Sequence, residues 1–149
     1  MHKTAVLLVA AGLGVLGVSA WASNAQTGPA LIRITSTQIK YVRVNGGPGT
    51  VADQELIRQR LFNKKITQSP IGRADFRCTF TFGTSRFCMA TYFLAKGKLV
   101  VGGTISNRDI YDLAILGGTG LYNNARGTLT AIRIGKAPRR EFLIFRLAG

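Results

Sequence analysis

The sequence almost lacks histidine and is poor in acidic residues, on which most acid–base and metal chemistry depends. Its single histidine, His2, stands at the amino terminus, and Asp and Glu together number six. Ser-His and Cys-His catalysis and imidazole metal sites are therefore excluded for the rest of the chain. Nothing places two carboxylates together as a glycosidase pair, and no G-x-S-x-G elbow occurs. We expect no metal and no cofactor, and neither a hydrolase nor a metal enzyme is predicted.

The amino-terminal segment has the pattern of a secretory signal peptide. A short basic start precedes residues 4–20, which contain no charge, and small residues that suit signal peptidase follow at Ala22 and Ala25. The apolar run is short for a spanning helix, which usually needs about 20 residues, and no basic stop-transfer cluster follows it. We expect residues 1–25 to be the signal peptide and 26–149 to be a secreted, extracytoplasmic domain. Cleavage after Ala22 and retention as a membrane anchor are the less favoured alternatives.

Cysteine is scarce as well, with only Cys78 and Cys88. Between them lies the turn-like Gly83-Thr84-Ser85, so on a hairpin the two side chains would face each other within bridging distance. A disulfide is the expected state in an oxidising compartment, and two free buried thiols are the alternative. Without a neighbouring histidine the pair does not form a metal site.

Positive charge is in large excess. Twenty Lys and Arg against six acidic residues give a net charge of +14, or +13 once Lys3 leaves with the signal peptide. Such a surface attracts anionic polymers and lipid headgroups, but the basic residues are scattered along the chain, so a solvated basic face is the favoured interpretation. No basic helix, zinc-finger spacing or aromatic RNA-binding motif occurs, so no specific nucleic-acid partner is predicted.

Period-2 alternation and turn signals divide the rest of the chain into about eight short strands. In the segment 76–82, four residues share one side: Phe76, Cys78, Phe80 and Phe82. The segment 86–95 is apolar on both sides, so we expect a loop or a second copy of the chain, as in a homo-oligomer, to cover its outer side. The segment 53–62 fits a helix as well as a strand. The predicted strands are 31–44, 53–62, 76–82, 86–95, 99–105, 111–116, 127–135 and 141–147.

The most distinctive block is residues 113–127, which read L-A-I-L-G-G-T-G-L-Y-N-N-A-R-G. We interpret it as a strand, a corner formed by the glycine cluster, and a second strand. A phosphate-binding loop would need a helix with Lys-Ser/Thr after the glycines, and none follows. The block and its upstream features, among them Ile71-Gly72 and the paired Gly102 and Gly103, resemble the signature of the allene oxide cyclase and dirigent barrel superfamily.

This resemblance covers about residues 31–147 and implies an all-β fold, a single antiparallel eight-stranded β-barrel of the calycin-like type. Members fold a lipid-derived epoxide for ring closure or orient phenolic intermediates. The positions that match the shared block are Gly117, Gly118, Thr119, Gly120, Tyr122, Arg126 and Gly127. The candidate chemical groups are Tyr41, Tyr92, Asp112 and Arg126.

Two functional hypotheses follow. In the first, the exported barrel binds a hydrophobic small molecule in its lumen and steers its cyclisation or stereoselective coupling, which needs shape more than acid–base machinery. In the second, the barrel is packed and its cationic exterior binds an anionic surface or polymer without catalysis. A carrier that leaves its ligand unchanged is a third, weaker alternative, and the sequence leaves open whether the protein is an enzyme.

Overall fold

Eight strands form one closed antiparallel barrel in a computed structural model that describes residues 30–44, 51–63 and 68–148. Each strand pairs with its neighbour along the chain, and the last pairs with the first. The strands are β1 (Leu31–Val44), β2 (Gln54–Phe62), β3 (Gly72–Phe80), β4 (Arg86–Leu94), β5 (Gly97–Ile105), β6 (Ile110–Gly120), β7 (Arg126–Lys136) and β8 (Arg139–Ala148). The predicted fold class is confirmed. The predicted signal peptide, residues 1–25, lies outside the described residues. Within the described ranges, no helix has the length and apolarity needed to cross a membrane.

Alternation along the strands decides which side chains enter the barrel. On β2 the odd-numbered residues from Glu55 to Leu61 are buried, whereas Leu56, Arg58 and Arg60 are exposed. Successive residues of a strand point to opposite faces, so this pattern is what a closed barrel with a packed interior requires. The ambiguous segment 53–62 is therefore a strand.

The middle of the barrel is filled by apolar and aromatic side chains. Tyr92 of β4 is fully buried, and its ring packs edge-on against Phe76, with centroids 5.7 Å apart, and against Phe145 of β8 at 4.9 Å. Edge-to-face contacts of this kind add to the burial of area. They connect opposite walls of the barrel, and the interior here is a packed core.

The glycine cluster lies in a different place from the one predicted. Gly117, Gly118 and Gly120 belong to strand β6, and the chain turns only afterwards, at residues 121–125. Gly118 is required because a Cβ there would lie 2.3 Å from the carbonyl oxygen of Tyr122 and 2.7 Å from that of Lys98. The cluster permits close backbone approach within the strand and does not itself form the corner.

Strand ends differ from the prediction by up to four residues. Phe82 was expected on the buried side, but it follows the end of β3 and is 82% exposed. On β4 the outward Phe87 and Met89 are both about half exposed. Phe93 lies under the Arg73 guanidinium, 4.2 Å from its ring centroid.

The expected disulfide is present. Cys78 of β3 and Cys88 of β4 are direct cross-strand partners with an S–S distance of 2.07 Å, and both are buried. The bond therefore joins adjacent strands from inside the barrel.

Candidate functional site

Charged residues enter the barrel at one end. Glu55, Arg86 and Glu141 each continue the inward-facing register of an otherwise apolar strand, and each is at least 98% buried. Above them opens a pocket of about 240 Å³, which we call the polar mouth. Its lining residues are Gln38, Tyr41, Glu55, Ile57, Arg86, Arg108, Lys136 and Arg139.

Glu55 accepts hydrogen bonds from three side chains. The Tyr41 hydroxyl donates to Oε1 at 2.7 Å, Nη1 of Arg86 donates to Oε2 at 2.8 Å, and Nη2 of Arg108 donates to Oε1 at 3.2 Å. A buried carboxylate is costly unless it is paired and hydrogen-bonded, and here both oxygens are satisfied. The three donors come from β1, β4 and the β5–β6 loop, so the cluster ties distant parts of the barrel together.

Glu141 forms a second cluster of the same kind. Its carboxylate accepts from Nε2 of Gln59 at 2.8 Å, from the Tyr111 hydroxyl at 3.2 Å and from Nε of Arg139 at 2.7 Å. Arg139 also donates to the backbone carbonyl of Arg108 at 3.0 Å, which links the two clusters at the rim. Each buried carboxylate is thus held by one tyrosine hydroxyl and at least one guanidinium.

The tyrosines of the site are hydrogen-bond donors and do not act as bases. Burial raises the pKa of Tyr111 far above its usual value, and nearby Glu141 raises it further. Burial and the hydrogen bond to Glu55 raise the pKa of Tyr41. Both phenols therefore remain protonated at neutral pH and can donate hydrogen bonds.

Arg86 is the most constrained cation of the site. Burial lowers its pKa, Glu55 opposes that shift, and the positive charges of Arg108 and Arg139 add to it. Its Nε donates to no group of the described residues. An arginine stays charged even so, because its usual pKa is above 12.

A small cavity of about 10 Å³ lies beneath the mouth, with Gln59, Arg86 and Tyr111 among its lining residues. It offers room for about one water molecule. Two of its polar atoms, Nε of Arg86 and Oε1 of Gln59, have no partner among the described residues. Unpartnered buried polar atoms of this kind favour a polar group, and not an apolar one, at the floor of the site.

The structure does not bring the four predicted chemical groups together. Tyr41 is at the polar mouth, and Tyr92 lies deeper, with a hydroxyl that has no partner among the described residues. Asp112 is on the outer face, where it accepts from Thr130 at 2.6 Å, and Arg126 is exposed and donates to the carbonyl of Ala125 at 2.9 Å. The motif residue Tyr122 is buried beside the turn that follows β6.

Sequence reasoning missed most of the site, although a signal was present. The signal is a charged residue two positions from a buried apolar one, as at Glu55, Arg86 and Glu141. Residues two apart on a strand share a face, so this spacing predicts a charged side chain inside the barrel. Among the described residues, no cluster of three or more His, Cys, Asp or Glu could hold a metal ion.

No protein-family model matches the chain, and no curated protein matches it in sequence. Solved structures share its fold. A pyocyanin demethylase aligns with a TM-score of 0.66 at 23% identity, covering 79% of this chain and 99% of that one. A pterocarpan synthase dirigent protein aligns with a TM-score of 0.67 at 16% identity, covering 96% and 98%.

The chain folds as a dirigent-like β-barrel. An exo-specific intermolecular Diels-Alderase aligns with a TM-score of 0.57 at 16% identity, covering 76% of this chain and 96% of that one. The resemblance first seen in residues 113–127 is thereby confirmed at the level of the fold. The names of these similar proteins describe chemistry on small molecules, and at such identities the likeness concerns the barrel itself.

Proposed function

We propose that this dirigent-like barrel binds a small molecule at its polar mouth and steers the cyclisation or coupling of that molecule. The observation that carries the proposal is the pair of buried carboxylates, Glu55 and Glu141, held by tyrosine and arginine donors around a pocket of about 240 Å³. A few fixed polar groups around a concave site are what orients a ligand. Because the middle of the barrel is packed, we propose the mouth and not the centre as the binding site.

Orientation is the chemistry for which the site is equipped. The arginines are permanent cations, and Arg108 is about half exposed and gives Nη2 to Glu55, so its guanidinium can present further donors towards a bound molecule. Holding a flexible molecule in one reactive conformation removes much of the entropic part of a cyclisation barrier. The shared fold with a Diels-Alderase and a dirigent protein supports this assignment.

Fluorescence of N-phenyl-1-naphthylamine tests the binding site with a neutral aromatic probe. We expect saturable enhancement with the wild-type protein and loss of it in Gln38→Trp, because the indole would fill the mouth. Gln68→Trp is the matched control, since Gln68 is exposed outside the strands. Absence of saturable binding by the wild type, or equal binding by Gln38→Trp, would overturn the proposal.

Induced circular dichroism of the same probe tests steering. The probe is achiral and flexible, so it acquires a signal in its near-ultraviolet band only when it is held in one handed conformation. We expect an induced band that Gln38→Trp abolishes. Binding without an induced band would identify a carrier that leaves its ligand unordered.

A second candidate function rests on the outer face. A row of cross-strand neighbours runs over β2 to β5 and consists of Arg60, Arg73, Phe93 and Lys98. Arg73 and Lys98 flank the ring of Phe93. Arg60 and Arg73 are directly opposed like charges, which is unfavourable. Arg73 lies 3.6 Å from a carboxylate oxygen of Asp75, but Asp75 is shared with Arg58, so this face keeps an excess of positive charge. This row would bind an anionic polymer without catalysis.

Retention on immobilised dextran sulfate tests that second function. We expect Arg60→Gln/Arg73→Gln to elute at lower salt than Arg33→Gln/Arg146→Gln, which removes equal charge from β1 and β8. Identical elution of the two variants would reject the row as a site.

We also propose that the protein is exported after removal of residues 1–25. The buried disulfide fits an oxidising compartment. Amino-terminal sequencing of the secreted protein is expected to begin at Gln26, and an intact Met1 would contradict the proposal.

A further inference from the structure

We propose that the small molecule bound at the polar mouth carries an anionic group, such as a carboxylate or a sulfonate, on an apolar body. This inference rests on the proposed function and specifies its ligand. Four cations surround the pocket, namely Arg86, Arg108, Lys136 and Arg139. Within the described part of the chain, Glu55 and Glu141 are the carboxylates that pair with these cations, which leaves an excess of two positive charges.

The neighbouring acidic residues do not supply the missing charge. Asp53 pairs with Arg43 at 3.1 Å, and Asp109 pairs with Arg133 at 2.7 Å. Each of these carboxylates therefore already has an arginine of its own. The excess of positive charge at the mouth is consequently not balanced by these two carboxylates.

Two of the cations keep donors available to a ligand. Lys136 is exposed, and its ammonium group forms no hydrogen bond or ion pair with the described residues. Arg108 is about half exposed and gives only Nη2 to Glu55, so other donors of its guanidinium remain unused. A guanidinium fork and an ammonium on one rim are suited to a carboxylate or sulfonate.

The floor of the site supplies a second, independent observation. Arg86 is 98% buried, lines both the mouth and the small cavity below it, and has an unpartnered Nε. Burying a cation in this way is costly, and an anion above it would reduce that cost. Ile57 also lines both spaces and provides an apolar contact for the body of the ligand.

A matched pair of probes separates this inference from the proposed function. 8-Anilinonaphthalene-1-sulfonate has the skeleton of N-phenyl-1-naphthylamine with one added sulfonate. We expect the sulfonate to bind the wild type at least about tenfold more tightly at low salt, the factor that one charge-assisted contact provides. Lys136→Gln is expected to weaken sulfonate binding severalfold more than it weakens binding of the neutral probe, so that the preference for the sulfonate falls.

Lys96→Gln is the control, because it removes the same charge from the exposed turn between β4 and β5, outside the mouth and outside the cationic row. Equal affinity of the two probes for the wild type would overturn the anion inference while leaving the binding site in place. An equal loss in Lys96→Gln and Lys136→Gln would overturn it too, since general surface charge would then explain the preference. Failure of both probes to bind would instead reject the proposed function.

Discussion

The buried pair of Glu55 and Arg86 offers the most demanding test of the energetics of this site. Their hydrogen bond is 2.8 Å long, and both side chains are at least 98% buried. Arg86→Met leaves Glu55 with Tyr41 and the half-exposed Arg108 as partners. Glu55→Gln leaves Arg86 charged and buried, with its Nε already unpartnered.

Breaking one side of a buried pair costs about 3–5 kcal/mol. We expect Arg86→Met at the lower end, about 3 kcal/mol, because two donors still satisfy Glu55. Glu55→Gln should reach about 4 kcal/mol, because Arg86 forms an ion pair with no other carboxylate of the described residues. The double variant buries no unpaired charge, so its cost should fall below the sum of the single costs by at least about 2 kcal/mol.

Urea denaturation followed by far-ultraviolet circular dichroism at pH 7 gives these free energies of unfolding. Arg58 and Asp75 provide a matched control, since their 2.6 Å ion pair lies on the outer face of β2 and β3. Arg58→Met/Asp75→Asn should leave the stability nearly unchanged, because exposed pairs are solvated and screened. Strict additivity of the costs of Glu55→Gln and Arg86→Met would refute the reasoning, because the two groups would then not depend on each other.

Two further predictions concern the barrel. Burial raises the pKa of Tyr92 and Tyr111, so these tyrosines ionise near pH 10 in the unfolded state but stay protonated in the folded state. The free energy of unfolding should therefore decrease above pH 10 by about 1.4 kcal/mol per pH unit for each tyrosine. Urea midpoints up to about pH 11.5 measure this decrease. Gly127→Ala should cost at least about 2 kcal/mol in thermal or urea unfolding, because φ is +129° and a Cβ would lie 2.0 Å from the Arg146 carbonyl oxygen.

Each of these has a control within the chain. Tyr92→Phe should leave the free energy of unfolding at pH 7 unchanged and should make its decrease above pH 10 less steep by the contribution of one tyrosine. An unaltered pH dependence would contradict the raised pKa of Tyr92. Gly117→Ala should be tolerated, because the nearest atom to a Cβ there is Nη1 of Arg126 at 3.5 Å, at the end of a flexible side chain. A similar loss in both glycine variants would show that the shared motif, and not local geometry, sets the cost.

The local parts of the fold were predictable because their physical causes are local. Alternation of polar and apolar residues and turn signals predicted most of the strands, and β1 was predicted with its observed bounds, Leu31–Val44. The ambiguous segment 53–62 was predicted as a strand only through the family resemblance. The ten-residue separation of Cys78 and Cys88 made their pairing across a hairpin predictable too. The position of the glycine cluster was predicted wrongly, because the close approach of other backbone segments cannot be seen in the sequence. Carbonyl groups of neighbouring segments come close to Gly118, so glycine is needed within β6 and not at a corner.

Residue patterns predicted a succession of strands and excluded histidine chemistry downstream of His2, and the family resemblance predicted closure into a barrel. Which charged residues meet depends on the tertiary structure. Arg86 is 31 positions from Glu55, and Gln59 is 82 positions from Glu141. Period-2 spacing aims each side chain inward, but the register between strands and the closure of β8 on β1 bring them within hydrogen-bonding distance. The candidate site therefore became visible only once the barrel was closed.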